Sequence, residues 1–446
     1  VPVAQAGAPA RRRKLALPAG WPIYALFAGF PLWWGLGLGS FIWPILAMPM
    51  LLGLLRQKDV RMPRGFGLWL LFIGWLIISV TQLESAGRLA AYLYRGSAYF
   101  SITVLFLYVY NAPRDRVPTK KIVVALTLFW MFVVAGGYLG TFYPNGGIST
   151  IAAKIVPAGV GDESLKFILN PPFANRGEAS RILGYEIGRP AAPFAYTNAW
   201  GANFALLVPF AIMSLSFVKK KSWKLLVLGA MGASIVPVVS SLNRGLWLSL
   251  TLGLLYAAGL FALKGRPKAF VRVAAVLGVA AVAVLTVGPI NRVFFDRLDR
   301  GHSDEGRKGL YSEALEITAQ KPILGYGAPV ESAADPTKPS VGTHGQFWLV
   351  LVSTGFVGAG IFVGWYCVTL WRTRKGKGAF DMGTWCHVVV AISLVQIFFY
   401  EQLPTQLNIV MVAAALGLRE LRPASRAEVE AEAAQFRGDR RVAVVR

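Results

Sequence analysis

The sequence predicts an all-α protein that crosses a membrane many times, and three observations lead to this prediction. Of the 446 residues, 55% are apolar and only 15% are charged, a composition that excludes an ordinary soluble domain. Apolar runs of about 20 residues, the length that a helix needs to cross hydrocarbon, recur along almost the whole chain. Residues 225–239 and 273–287 are apolar on every face, whereas strands of a membrane barrel alternate apolar and polar residues. Helices are therefore expected, and strands are not.

Basic residues are concentrated in short loops between the apolar runs, and their placement predicts the topology. The net charge of +24 would suit a nucleic-acid binder if the charges formed one surface, but they are distributed over six separate segments. Each segment follows an even number of crossings, which is the positive-inside pattern of cytosolic loops. Both termini are therefore predicted to be cytosolic, and no nucleic-acid partner is expected. The segments are residues 11–14, 56–64, 114–121, 219–224, 264–272 and 372–377.

About twelve spans follow from the apolar runs and this charge pattern. Residues 1–20 and 419–446 are predicted to be cytosolic tails, and residues 21–418 to be the transmembrane domain. The predicted spans are residues 21–36, 40–55, 66–83, 88–110, 122–142, 196–218, 225–241, 245–263, 273–289, 346–371, 384–400 and 403–418.

Two long insertions, at about residues 143–195 and 290–345, fall on the outer side of this topology. Basic and acidic residues nearly balance there, unlike in the inner loops, so we expect the protein to act at its outer face. In the second insertion, residues 303–321 begin with capping residues, carry apolar Leu310 and Ala314 on one face, and precede a proline. This pattern predicts an amphipathic helix that lies on the bundle.

Three residues that are far apart in the sequence fall at the same outer rim. Arg189 precedes the sixth span, Arg244 lies in the turn between the seventh and eighth, and His344 precedes the tenth. A guanidinium stays charged and binds phosphate oxygens through paired hydrogen bonds, so two arginines suit a lipid-linked phosphate or diphosphate. An imidazole accepts a proton near neutral pH, which makes His344 a candidate general base.

Each of these residues also has an ordinary explanation. Arg244 alternatively reaches lipid headgroups, Arg189 is alternatively a loop arginine, and His344 a loop histidine bonded to backbone. Glu84 and Glu401 also fall near the outer side, and we rank them below His344 as a second base or an acceptor-binding group. The sequence has no HExxH motif and no three-ligand cluster, so no catalytic metal is expected.

The order of these residues resembles the O-antigen ligase and polymerase family of membrane glycosyltransferases, over about residues 180–365. The resemblance lies in an arginine and an asparagine at one span, an arginine-glycine turn, a Pro-Ile-Leu-Gly-Tyr-Gly stretch, and a histidine before a span with Thr-Gly-Phe-Val-Gly. Two departures are Gly345, where the family often has asparagine, and Tyr311, where it usually has tryptophan. The matching positions are Arg189, Asn198, Arg244, residues 322–327, His344 and residues 354–358.

The resemblance implies a GT-C-type architecture with two large extracytoplasmic loops, in the plasma (inner) membrane. It implies transfer of a glycan from a polyprenyl-phosphate or diphosphate carrier, such as undecaprenyl diphosphate, to a hydroxyl acceptor on a glycan or glycolipid. Arg189 and Arg244 would hold the departing phosphate and His344 would act as the base, without a metal or another cofactor. We expect Asn198, Arg307 and Tyr311 to bind substrate as well; for Arg307, a place on a solvated face is the alternative.

Three alternatives remain open from the sequence. A polysaccharide polymerase of the same family shares the donor chemistry and differs only in its acceptor. A secondary transporter also has twelve spans with both termini inside, but charged residues are nearly absent from the middle of the spans, where coupling ions would bind. A flippase for lipid-linked glycans would also need phosphate-binding arginines, but it would leave the glycosidic bond intact.

Overall fold

A computed structural model of the chain describes residues 17–156, 163–175, 188–286, 291–292, 295–296, 303–332, 340–376 and 381–422. The structure is mostly helical, which confirms the prediction of an all-α protein. Most of the two predicted tails lies outside the described residues. The division into tails and a transmembrane domain therefore stays a prediction.

The helices of the first half follow the predicted spans. The chain then enters the first long insertion, which holds two short helices and two short strands. The elements are α1 (Trp21–Phe27), α2 (Phe30–Leu36), α3 (Ile42–Leu55), α4 (Phe66–Ile78) with a 3-10 turn (Ser79–Gln82), α5 (Ala86–Asn111), α6 (Thr119–Phe142), α7 (Ile151–Ile155), α8 (Glu163–Leu169), β1 (Ala174–Asn175) and β2 (Arg189–Pro190).

The helices of the second half also follow the predicted pattern and include a helix in the second outer insertion. They are α9 (Thr197–Phe217), α10 (Lys221–Ala233), α11 (Ile235–Ser240), α12 (Arg244–Leu263), α13 (Pro267–Thr286), α14 (Ser303–Gln320), α15 (Gln346–Thr373), α16 (Met382–Gln396) and α17 (Thr405–Arg419).

The prediction that the chain has no strands was wrong in one place. β1 and β2 pair antiparallel in the first long insertion, with Ala174 opposite Pro190 and Asn175 opposite Arg189. The hydropathy period that distinguishes helical spans from barrel strands applies to membrane-crossing segments. It carries no information about a four-residue ribbon in an outer loop, where paired backbone groups need no apolar alternation.

Two spans predicted as continuous are interrupted by proline. In the first, the helix ends at Phe27 and begins again at Phe30, beside Pro31. In the seventh, α10 and α11 meet at Ser234, and Pro237 has no N–H to donate to the carbonyl of Ala233. The Tyr138 hydroxyl donates to that carbonyl instead, at 2.7 Å. Apolar content does not reveal such breaks, because proline and glycine leave an apolar run continuous.

α17 is the central helix of the bundle. Every residue from Thr405 to Arg419 is buried, and the helix contacts α5, α9, α15 and α16. The helix is largely apolar and also buries the polar residues Gln406, Asn408 and Arg419, as expected of a helix in the interior rather than at the lipid surface. α9 is also largely buried and packs along α6.

Among the described residues, five helices are long and apolar enough to cross a membrane, and four shorter helices are apolar too. This supports a polytopic membrane protein. The count of twelve spans and the orientation of the termini stay predictions. The long helices are Thr119–Phe142, Thr197–Phe217, Lys221–Ser240, Arg244–Leu263 and Gln346–Thr373.

The amphipathic helix predicted in the second insertion is confirmed as α14. Leu310 and Ala314 are buried, and the helix packs against α15. The helix therefore places Tyr311 over the first turn of α15, beside His344.

Candidate active site

Arg189 lies in β2, where its side chain is directed at the turn before α12. The residue is 6% exposed, and its Nε donates to the carbonyl oxygen of Ser241 at 2.9 Å. Its own carbonyl accepts a hydrogen bond from the Thr197 hydroxyl, at 3.3 Å, in the first turn of α9. These two bonds bring β2, the start of α9 and the turn before Arg244 together.

Arg244 is the first residue of α12 and is half-buried. The preceding turn is held in an uncommon shape, because Leu242 has a φ of 54°, in the left-handed region that only a few per cent of non-glycine residues adopt. Asn243 caps the helix by accepting from the N–H of Leu246 at 3.2 Å. The cap and the turn fix where the Arg244 side chain leaves the backbone.

Tyr400 connects this turn to the segment that carries His344. Its hydroxyl donates to Asn243 Oδ1, and its carbonyl accepts from the N–H of Gln346 at 2.8 Å. A side chain at Gly245 would place Cβ 2.4 Å from the Tyr400 hydroxyl, so any larger residue there would displace the Tyr400 ring. Tyr400 therefore bridges Asn243, which directly precedes Arg244, and Gln346, which lies two residues after His344.

His344 is half-buried before the first turn of α15, and its neighbours favour one tautomer. The Thr343 hydroxyl donates to the carbonyl of Ser340 at 2.7 Å. The Thr343 oxygen is then left to accept from His344 Nδ1, at 3.3 Å. A proton on Nδ1 leaves the basic lone pair of the neutral imidazole on Nε2.

Tyr311 fastens α14 beside His344. Its ring stacks on Trp348 with centroids 4.3 Å apart and planes 11° apart. Its hydroxyl donates to the carbonyl of Phe398 at 3.1 Å, and the carbonyl of His344 is 3.5 Å away. These contacts place Tyr311 at the site, where it also has a packing role. Arg307 is on the same helix, but its side chain lies outside what the structure describes.

Asn198 and Asn175 differ in their relation to Arg189. Asn198 is exposed on the first turn of α9. Asn175, which the sequence did not single out, stands opposite Arg189 in the ribbon. Its Oδ1 accepts from the backbone N–H of Thr197 at 2.6 Å and from the Thr197 hydroxyl at 2.8 Å. Asn175 therefore caps α9 from a loop that precedes it by about twenty positions, which no local pattern could reveal.

The Pro-Ile-Leu-Gly-Tyr-Gly stretch inserts into a break in α15. The helix is interrupted at Gly355, whose φ is 71° and ψ −176°. The carbonyls of Val352 and Ser353 accept from the backbone N–H groups of Tyr326 and Gly327, both at 2.9 Å. In exchange, the N–H of Phe356 donates to the carbonyl of Pro322 at 2.8 Å. The helix carbonyls at the break are thus paired with the inserted stretch, since an unpaired peptide group at membrane depth costs several kcal/mol.

Two glycines make this insertion sterically feasible. A Cβ on Gly325 would lie 2.5 Å from the carbonyl oxygen of Val352, and one on Gly355 would lie 2.5 Å from that of Pro322. Both residues have positive φ. The two glycine-containing stretches that carry the family resemblance, residues 322–327 and 354–358, therefore meet below His344 in one paired region, the backbone joint.

Arg88 holds the inserted stretch from α5. One of its terminal nitrogens donates to the carbonyls of Tyr326, Ala328 and Pro329, at 3.1, 2.6 and 3.3 Å. Glu84 lies 3.8 Å from Arg88 and accepts from Lys321 Nζ at 2.7 Å. This hydrogen bond lowers the pKa of the exposed Glu84 carboxyl. Glu84 is thus engaged in an ion pair, which makes it a weaker candidate for a second base than Glu401.

The electrostatics of this rim favour a bound anion. The hydrogen bonds above join the N-terminal ends of α9, α12 and α15, and helix N-termini carry partial positive charge. The side chains of Arg189 and Arg244 add two full positive charges. Within the described part of the chain, no three His, Cys, Asp or Glu residues group together as metal ligands.

The chain matches the family model described as O-antigen ligase over residues 229–363. The matched segment includes Arg244, Arg307, Tyr311 and His344 and ends before the segment with Tyr400; Arg189 and Asn198 precede it. The match supports the O-antigen ligase family for this chain and a membrane enzyme of the ligase and polymerase type. Among curated proteins, none matches the chain.

Proposed function

We propose that this chain is a membrane glycosyltransferase of the O-antigen ligase type. It would transfer a glycan from a polyprenyl-phosphate or diphosphate carrier to a hydroxyl acceptor at the extracytoplasmic face, without a metal. The observation that carries the proposal is the bridge from Arg189 through Ser241, Asn243 and Tyr400 to Gln346. That bridge brings the segments of two arginines and one histidine to one rim, although they span more than a hundred and fifty positions.

The transfer is a single displacement. His344 Nε2 takes the proton of the acceptor hydroxyl while the acceptor oxygen forms a bond to the anomeric carbon of the donor sugar. The bond from that carbon to the carrier phosphate breaks, and its electron pair stays on the phosphate. Direct displacement inverts the anomeric centre. General-base catalysis of this kind contributes roughly 10²- to 10⁴-fold to the rate.

Arg189 and Arg244 act on the leaving group. Negative charge grows on the carrier phosphate as its bond to the sugar breaks, and paired guanidinium donors stabilise that charge more in the transition state than in the ground state. The N-termini of α12 and α15 add to the same field. A permanent charge on Arg244 so close to hydrocarbon is explained by this role.

A transfer assay with purified protein and lipid-linked glycan tests the proposal. Wild-type protein should release carrier phosphate in step with the formation of a glycosylated acceptor, and chelators should leave the rate unchanged. A flippase would move the donor across a vesicle bilayer with its glycosidic bond intact, which would refute the proposal. Chains of donor repeats built on the carrier would identify a polymerase of the same family.

The orientation can be tested separately from the chemistry. Tyr196 is 53% exposed before α9, on the predicted outer side, and Leu263 is 87% exposed at the end of α12, on the predicted inner side. In intact cells, an impermeant thiol reagent should label Tyr196→Cys and not Leu263→Cys, in a background without Cys367 and Cys386. Labelling of Leu263→Cys alone would place the site at the cytosolic face.

A further inference from the structure

A second pair of opposite charges lies near this rim, between α5 and the loop after α16. Arg95 is on α5, Glu401 follows Tyr400, and both side chains are half-buried. The two charges interact electrostatically. Within the described residues, neither side chain makes a hydrogen bond, and the two do not come within the 4.0 Å of an ion pair. Both side chains are partly exposed, so a ligand at the rim can reach them.

The pair belongs to the rim that carries His344. The backbone N–H of Gln402, next to Glu401, donates to Gln346 Oε1 at 2.9 Å. Gln346 Nε2 donates to the Tyr99 hydroxyl at 2.8 Å, and Tyr99 is one helical turn from Arg95 on α5. The same Gln346 is bonded through its backbone to Tyr400. Gln346 thus contacts the segments of Arg95 and Glu401 with its side chain, and its backbone bonds Tyr400, which holds the turn before Arg244.

The polar atoms of Arg95 and Glu401 are not among the fully buried atoms without a partner, so a ligand could replace water at both side chains. Burial raises the pKa of the Glu401 carboxyl, and the Arg95 charge only partly offsets this. Taking a charged group out of water is compensated only when partners with good geometry replace the lost hydration. A ligand with both hydrogen-bond donors and acceptors would satisfy both side chains at once.

The residues next to Arg95 and Glu401 favour a sugar as the ligand. Tyr94, beside Arg95, is 37% exposed, lies near Ser40 and meets the edge of Phe41 with centroids 6.1 Å apart. A carboxylate accepts from sugar hydroxyls, a guanidinium donates to sugar oxygens, and a tyrosine ring covers an apolar sugar face. A simple phosphate would be repelled by Glu401, in contrast to the site of Arg189 and Arg244.

A small cavity that Arg95 lines is too small for a sugar. Arg95 lines it together with Tyr99, Ser353 and Thr354, and its volume of about 10 Å³ suits a single water. A sugar ring would therefore have to lie on the side of Tyr94 and Glu401.

We infer that Arg95 and Glu401, with Tyr94 beside them, form the subsite for the sugar that carries the acceptor hydroxyl. This inference rests on the proposed function, and it assigns the acceptor side of the reaction a neutral, polyhydroxylated ligand. The acceptor sugar then approaches His344 from the side of α5, while the carrier phosphate lies on the side of Arg189.

Photolabelling tests the subsite without requiring transfer. The probe is octyl glucoside with a diazirine on the sugar, added to protein in nanodiscs, and labelled peptides are identified by mass spectrometry. Wild-type protein should be labelled in residues 91–99 or 397–404, and Glu401→Gln and Arg95→Gln should each lower that labelling about tenfold. Glu84→Gln is the matched control, because Glu84 is an outer carboxylate with an ion-pair role, and its labelling should equal that of wild type. Dodecyl phosphate should not compete.

Equal labelling in Glu401→Gln and Glu84→Gln would overturn the inference, as would labelling of wild type that is spread evenly over the outer loops. Because glutamine nearly matches glutamate in shape, unchanged elution and Tm of Glu401→Gln separate lost binding from lost folding. His344→Ala should keep its labelling. Selective labelling in a protein that shows no transfer would defeat the proposed function and leave the subsite standing. Transfer without selective labelling would defeat the subsite alone.

Discussion

Two histidines occupy opposite settings in this molecule. His387 on α16 is 3% exposed, and both of its ring nitrogens are engaged, Nε2 with the Tyr256 hydroxyl at 2.7 Å and Nδ1 with the Thr373 hydroxyl at 2.8 Å. His344 also has a threonine hydroxyl at Nδ1. It differs in being half-buried at the end of a helix, beside the segments of two arginines.

The difference shows how one side chain serves two purposes. The Thr373 hydroxyl donates to the carbonyl of Thr369, so Nδ1 of His387 carries the proton and Nε2 accepts from Tyr256. A ring with both nitrogens committed joins α12, α15 and α16 and has no lone pair to offer a substrate. In His344, the same arrangement at Nδ1 would leave on Nε2 the basic lone pair that the proposed role requires. His344 is half-buried at the rim, whereas His387 is buried within the bundle.

Replacing each histidine by alanine should give the largest and most contrasting effects. His344→Ala should lower transfer by roughly 10²- to 10⁴-fold with little change in Tm, because it removes the base. His387→Ala should leave activity per folded molecule nearly intact and lower stability by about 1–3 kcal/mol, because the buried Thr373 hydroxyl and the more exposed Tyr256 hydroxyl each lose a partner. Transfer assays and thermal unfolding in detergent measure both. Full activity in His344→Ala would remove the base assignment.

Replacing arginines compares the contribution of the charges near His344 with that of a charge elsewhere in the protein. Arg244→Ala and Arg189→Ala should each lower transfer by roughly 10²- to 10³-fold, as expected for loss of a donor to a developing anion. Arg266→Ala is the inner control, since Arg266 forms an exposed ion pair with Asp381. Its activity should stay at the wild-type level. Equal losses in Arg244→Ala and Arg266→Ala would point to a general effect of charge on insertion.

The backbone joint below His344 predicts that one added methyl group will affect stability differently at two glycines of α15. Gly355→Ala should destabilise the protein by more than about 1–2 kcal/mol, because alanine disfavours the left-handed conformation and its Cβ would meet the carbonyl of Pro322. Gly364→Ala, in the same helix with no atom within 4 Å of the added Cβ, should be close to neutral. Thermal unfolding compares the two. A neutral Gly355→Ala would show that the inserted stretch does not hold α15.

The smallest expected effect concerns the tautomer of His344. Thr343→Val removes the hydroxyl that accepts from Nδ1 and should lower transfer by about tenfold, since the neutral ring then divides between two tautomers. Thr343→Ser should restore most of the rate. If valine and serine behave alike, the threonine hydroxyl does not set the tautomer.

The sequence predicted much of the helical pattern, because an apolar run long enough to cross a membrane has few other solutions. It also predicted α14 from the spacing of its apolar residues. It did not predict the breaks at Gly29, Ser234 and Gly355. Proline and glycine are common in membrane helices, and whether they interrupt one depends on which neighbour satisfies the backbone groups.

At the candidate site, the sequence indicated the charged residues and missed those that hold them. Asn175, Asn243 and Tyr400 act through contacts between distant segments, and neutral polar residues in apolar surroundings give little signal on their own. Arg95 does have a signal in the sequence. A charged residue nine positions into the apolar helix α5 is a functional candidate by default.

The most direct test of a shared pocket for the two arginines and the histidine is a density map of the protein with lipid-linked donor bound. We expect phosphate oxygens within about 3 Å of guanidinium nitrogens of both Arg189 and Arg244, as charge-assisted hydrogen bonds require. The anomeric carbon should face His344 Nε2. A phosphate bound at the opposite leaflet, or one that reaches only one of the two arginines with His344 turned away, would contradict it.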